Sequence, residues 1–169
     1  MDMEMSGLDP DACRILEVAT LVTDGDLNVI AEGPELVVHQ PDEVLAAMDE
    51  WNTRTHGGSG LTALVRASTV TVAEAEAQTL AFLQQHTEHR ASPLCGTAVF
   101  QDRRFIERYM PQLYEFLHYR LVDVATVREL ALRWVPQLQV PARQELHRAR
   151  ADVLESLAEM RAYRSGLFR

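Results

Sequence analysis

The sequence predicts an α/β fold, a mixed central sheet flanked by helices. Short β-branched runs separated by turn residues fill the chain up to Pro41, and past that point helical spacing alternates with short apolar strands. No internal repeat, low-complexity stretch or Gly/Ser-rich linker interrupts the 169 residues, so one domain over 1–169 is expected.

In order along the chain, Met1 to Met5 has room only for a short strand, ended by Ser6-Gly7 and the turn Leu8-Asp9-Pro10-Asp11. Ile15 to Val22 is an apolar run with β-branched residues, readable as a buried strand. Asp24-Gly25-Asp26 is a hairpin-type turn into Leu27 to Ala31, and Glu35 to Val38 makes a further strand of an antiparallel meander. Asp42 to Glu50 reads as a short helix and Trp51 to Ser59 as a loop. Thr71 to His86 has helical spacing, with Val72, Ala75, Leu80 and Leu83 apolar. Pro93 to Val99 is a strand entering a helix near Gln101. Leu121 to Val124 is a buried strand leading to a helix from Thr126 to Trp134. The last helix runs from about Ala149 to Arg164, with Val153, Leu157 and Met160 apolar.

Composition narrows the function. Apolar residues at 47% and charged residues at 24% are those of a folded globular chain. No apolar run is long enough to cross a bilayer, and Met1-Asp2-Met3-Glu4 lacks the basic and apolar regions of a signal peptide. A cytoplasmic location is the expectation. Cys13 and Cys95 have neither metal-type nor disulfide-framework spacing and read as small reduced core residues. The net charge of −9, from 16 basic and 25 acidic residues, opposes general nucleic-acid binding, which depends on Lys and Arg covering phosphates. A polyanionic substrate should therefore be short, or held through bound cations.

Three pieces of sequence carry candidate chemistry. Asp2 and Glu4 are two apart on a strand, so both carboxylates project from one face. Adjacent anions repel unless a cation lies between them, and oxygen ligands suit Mg²⁺ or Mn²⁺. Taken alone, the pair is better explained as a solvated strand end. Asp102, in Gln101-Asp102-Arg103-Arg104-Phe105, sits at a strand-to-helix junction, where α/β sites gather; it could also simply cap the helix. His147 and Asp152 stand at the mouth of the last helix. Five helical residues turn about 140°, so these two converge only if His147 precedes the helix.

Together the pieces resemble the motifs of the DEDD exonucleases, in the subgroup with His in the last motif: Asp2-x-Glu4, Asp102, and His147-x-Ala-x-x-Asp152. The resemblance to the oligoribonuclease family is closer still. It includes Asp2-Met-Glu-Met-Ser-Gly-Leu-Asp-Pro10, Glu17-Val-Ala-Thr-Leu-Val-Thr-Asp24 and Met48-Asp-Glu-Trp-Asn-Thr-Arg-Thr-His56. It continues through Gln101 to Phe105, His118-Tyr-Arg120 and Glu129-Leu-Ala-Leu-Arg-Trp134, in order over nearly the whole chain.

That resemblance implies a ribonuclease H-like fold and a 3′→5′ exoribonuclease that hydrolyses short oligoribonucleotides, down to dinucleotides, to 5′-mononucleotides. It implies two divalent metal ions, Mg²⁺ or Mn²⁺, with Asp2 bridging both, Glu4 and Asp152 completing one shell, and Asp102 holding the second ion. His147 would be the general base. Leu8 resembles an apolar wedge between the last two bases, and Trp51 and His56 correspond to residues near the terminal nucleotide. Tyr119 and Arg120 match a segment that reaches the neighbouring active site in a homodimer. The implied role is RNA degradation on short RNA, without membrane or long duplex partners.

The chain departs from the family pattern at Thr97, Ala98, Phe100, Ala125 and Arg150. Ala98 and Ala125 lack hydroxyls expected near the 5′-phosphate, which predicts a weaker preference for dinucleotides. The first strand also looks truncated, since the family has apolar residues before the first catalytic Asp; a frayed Asp2 would hold metal poorly. Two alternatives follow: a catalytically impaired short-RNA-binding module on the same scaffold, and a related DNA-trimming exonuclease, against which the acidic charge speaks.

Overall fold

A computed structural model describes residues 1–144 and 146–168. The chain opens with strands β1 (Asp2–Met5), β2 (Ile15–Thr23) and β3 (Val29–Val37), paired antiparallel in the order β1-β2-β3. Helices α1 (Asp42–Ala46), α2 (Glu50–Gly58), α3 (Leu61–Ala67) and α4 (Val72–His86) follow. Strand β4 (Pro93–Gly96) then leads through α5 (Phe100–Tyr109) and α6 (Pro111–Phe116) to β5 (His118–Asp123), its parallel partner. Helices α7 (Val124–Trp134) and α8 (Ala149–Leu167) complete the chain. The expected α/β class, with antiparallel and parallel pairings and helices packed on the sheets, is what the structure has.

The antiparallel and parallel sheets meet at Met1, whose backbone nitrogen donates to the Cys95 carbonyl at 2.9 Å. The approach is close enough that a β-carbon on Gly96 would lie 2.5 Å from the Met1 carbonyl oxygen, so only glycine fits there. Asp2 pairs with Ala19 and Glu4 with Glu17, in the ladder expected of a strand.

Side-chain alternation divides the two faces. Met1, Met3, Val18 and Val22 join the main core with Phe105, Ile106 and Leu113. Ala19 and partly buried Leu21 turn the other way and pack on Ala149 and Val153 of α8. Asp2 and Glu4 therefore face the side that α8 crosses.

Two segments differ from the sequence expectation. Leu27 to Ala31 and Glu35 to Val38 are not separate strands but one bent strand, β3, with a register shift opposite Ala19 to Leu21. Gly33-Pro34 reads as a break, yet a proline is tolerated at a bulge on a strand paired along one edge only. A β-carbon on Gly33 would lie 2.7 Å from the Phe82 ring, so α4 packs against that bend. Trp51 to Ser59, expected as a loop, is mostly the helix α2. Asn52, two threonines and two glycines weaken its intrinsic signal. Asp49 starts it by accepting from the Asn52 backbone at 2.7 Å, and burial of Asn52 and His56 holds it. The preceding helix correspondingly stops at Ala46.

Among the described residues no helix is long and apolar enough to cross a membrane. Both cysteines are free and half-buried, Cys13 against the main core and Cys95 beside α7 and α8.

Candidate active site

Strand β1, the first turn of α5 and the start of α8 bring the acidic side chains together. Carboxylate oxygens of Asp2, Glu4 and Asp152 lie within 4.8 Å of one another. Asp102 enters from α5, almost fully buried, and of the three carboxylates acting on Asp2 it has the largest effect. One of its oxygens, Oδ1, is buried without a hydrogen-bond partner among the described residues.

Such a set resists ionisation. Burial and then the charges of Asp102, Glu4 and Asp152 push the Asp2 carboxyl well above its ordinary range. Glu4 rises to about 8, first through burial and then through Asp152, Glu17 and Asp102, with Arg148 opposing. Burial lifts Asp102 to about 7, and Asp152 is raised by burial against the pull of Arg143. Four carboxyls held this way, one with an orphaned oxygen, are a donor set suited to hard divalent cations.

His147 lies before α8, as the convergence argument requires, in the left-handed region at φ 49°. Its ring meets Trp51 edge-on, with centroids 5.4 Å apart. Trp51 is half exposed on α2. His56, on the same helix, is 1% exposed: Nε2 donates to the Met5 carbonyl at 3.0 Å and Nδ1 lies 4.0 Å from Glu4. Burial holds its pKa below the ordinary value. Nδ1 has no hydrogen-bond partner among the described residues.

Leu8 is 72% exposed at the tip of its turn, and its carbonyl is gripped by the side chains of Gln101 and Arg104. Tyr119 and Arg120 are exposed on β5, stacked as a cation over an aromatic ring. Neither touches the acidic cluster through any bond of this chain's described residues.

Arg150 turns away from the cluster to Glu32 on β3, at 2.8 Å. Thr97 shares a hydrogen bond with Ser156 at 2.8 Å and accepts another from Arg143 at 3.0 Å. Asp123 accepts from the backbones of both Ala98 and Ala125, at 3.0 and 2.8 Å, tying the two loops together. Phe100 is exposed at the start of α5.

Sequence reasoning assigned no role to Glu17, Arg143 or Arg148. Arg143 bonds Asp152 Oδ1 at 3.0 Å and also faces Glu155 and Glu159. Arg148 binds buried Glu17. Glu17 stands as a lone acid inside an apolar strand, which was the available signal.

A family model for exonucleases matches residues 1–160. Curated relatives are named oligoribonuclease. The one from Pseudomonas paraeruginosa is 58% identical over 165 residues, covering 97% of this chain and 92% of that protein. The one from Aromatoleum aromaticum is 54% identical over 170 residues, covering 100% and 93%. A third, from Alkalilimnicola ehrlichii, is 56% identical over 170 residues, covering 100% and 88%.

Proposed function

The chain belongs to the oligoribonuclease family of exonucleases, and on that premise we propose how it acts as a 3′→5′ exoribonuclease on short oligoribonucleotides. The observation that carries the reading is the convergence of Asp2, Glu4 and Asp152 beside buried Asp102, all four with raised affinity for protons.

Asp2, Glu4 and Asp152 would hold one divalent cation, and Asp2 with Asp102 a second, either Mg²⁺ or Mn²⁺. When bound, such ions neutralise charge on the scissile phosphate and ease departure of the leaving oxygen. His147 takes a proton from the attacking water, the general-base role that imidazole most often fills. Trp51, edge-on to the His147 ring, offers its exposed surface to the terminal base, where stacking contributes roughly 1–3 kcal/mol. Leu8, rigid because two α5 side chains grip its carbonyl, wedges against the preceding base. His56, buried beside Glu4 and bonded to the Met5 carbonyl, backs the site near the terminal nucleotide.

The products are 5′-mononucleotides and the shortest substrate is a dinucleotide. Residues 1–169 act as one domain in the cytoplasm, and two copies pair so that Tyr119 and Arg120 reach the neighbour's substrate. Their exposure on β5 supports that pairing.

The test is release of mononucleotide from a labelled ribodinucleotide by purified protein supplied with Mn²⁺ or Mg²⁺. Asp102→Ala should reduce the rate by about 10²–10⁴-fold, the effect of losing several kcal/mol of transition-state stabilisation. A dinucleotide left intact by the parent protein, but still bound, would replace this reading with that of a non-catalytic RNA-binding module.

A further inference from the structure

Glu17 is fully buried on β2, opposite Glu4 in the ladder. A carboxylate in such a place must be compensated. Arg148 Nε lies 3.1 Å from both of its oxygens, Arg148 Nη2 lies 2.6 Å from Oε1, and the Ala149 backbone donates to Oε2 at 2.9 Å. The α8 N-terminus adds a favourable dipole to that anion. Arg148 reaches Glu35 as well, at 3.0 Å. Its own backbone nitrogen donates to Asp152 Oδ2 at 3.1 Å.

This network begins one residue after His147 and ends on Asp152. His147 itself occupies a left-handed conformation, at φ 49°, which is unfavourable for a residue with a β-carbon. Such a conformation persists where its surroundings hold it. Trp51 borders the ring on one side, but only edge-on. The backbone on the C-terminal side is fixed to the sheet through Glu17.

We propose that Glu17 is a positioning residue: acting through Arg148 and the Ala149 amide, it holds the His147 turn so that the imidazole faces the attacking water. This rests on the reading of His147 as the general base. Arg148 has two partners on the sheet, Glu17 and Glu35, so the turn is clamped to β2 and β3 at once. The clamp adjoins the acidic cluster at Glu4 and Asp152, and none of its groups needs to touch the substrate.

The experiment is a double-mutant cycle with steady-state kinetics on a ribodinucleotide in Mn²⁺. Glu17→Gln should lower kcat by about 10–100-fold, the usual effect of removing a buried supporting partner, with KM unchanged within about two-fold. Calorimetric Mn²⁺ affinity should stay within about three-fold, because all four carboxyls of the cluster remain. In the His147→Ala protein the same change should alter kcat by less than about two-fold, since the imidazole it positions is gone. If Glu17→Gln loses its fold by circular dichroism, Arg148→Lys keeps a cation on Glu17 while losing the two-nitrogen grip, and carries the same kinetic expectations. A full Glu17 or Arg148 effect persisting without His147, or an unaltered kcat in either single variant, overturns the proposal alone. Full activity of His147→Ala overturns the base reading, and the proposal with it.

Discussion

At the residue scale, the site is a set of carboxyls that would rather keep their protons. Glu4 titrates at about 8 and Asp102 at about 7, whereas in an unfolded chain such groups titrate near roughly 4. The folded state therefore binds these protons more tightly, and its advantage is complete below that unfolded value. It is lost as pH rises through 7 to 8, where the folded groups ionise against one another. Without divalent ions, the melting temperature should fall between about pH 5 and pH 8.5, and Glu4→Gln should remove part of the fall. Mn²⁺ should reverse it, because the ion binds the deprotonated set. Differential scanning fluorimetry with and without the metal reads both effects, and a flat metal-free profile contradicts the argument. The same scale shows how little single residues disclose in sequence. Asp2 and Glu4 share a strand face by simple alternation, but their meeting with Asp152 becomes apparent only when α8 crosses that face. Glu17 is harder still, because a buried acid is intelligible only beside Arg148, far along the chain.

At the element scale, strands and long helices were legible because their apolar periods are strong. Val72–His86 has a capping box, Thr71 with Glu74, and a clear stripe. Helix α2 was not legible: its residues are poor helix formers, and what stabilises it is burial of Asn52 and His56 against the site. The helix depends correspondingly on its cap. Asp49→Ala should cost about 1 kcal/mol of stability. Since α2 carries Trp51 and His56, KM for a dinucleotide should rise several-fold with kcat little changed; steady-state kinetics beside urea unfolding would check this. Strand β3 gives the complementary case. Gly33 looks like a terminator, yet it is the point where Phe82 approaches most closely. Gly33→Ala should destabilise by about 1–3 kcal/mol through overpacking, lowering the urea midpoint without altering its slope.

At the scale of the whole molecule, fold class followed from the change of period at Pro41, whereas the meeting of the sheets at Met1 and Cys95 followed from nothing in the pattern. Charge is the molecular property with the plainest functional consequence. The chain carries −9, and its candidate site is itself a concentration of acids. On the proposed reading, binding energy for RNA comes from bound cations, from stacking on Trp51 and from a few groups such as Arg120, not from a basic surface tracking the backbone. This predicts how affinity responds to salt and to length. Each phosphate neutralised on a single strand contributes about −0.7 to the slope of log K against log salt, so two contacted phosphates give roughly −1.4. Lengthening the RNA by ten or so nucleotides adds phosphates that meet an acidic surface and release no further counterions, so the slope should barely change. Fluorescence polarisation with the His147→Ala protein, which keeps the acidic cluster while slowing turnover, can measure both lengths across a salt series. A slope that steepens steadily with length would mean that the RNA follows a cationic path on the protein, and that the preference for short substrates does not arise from charge.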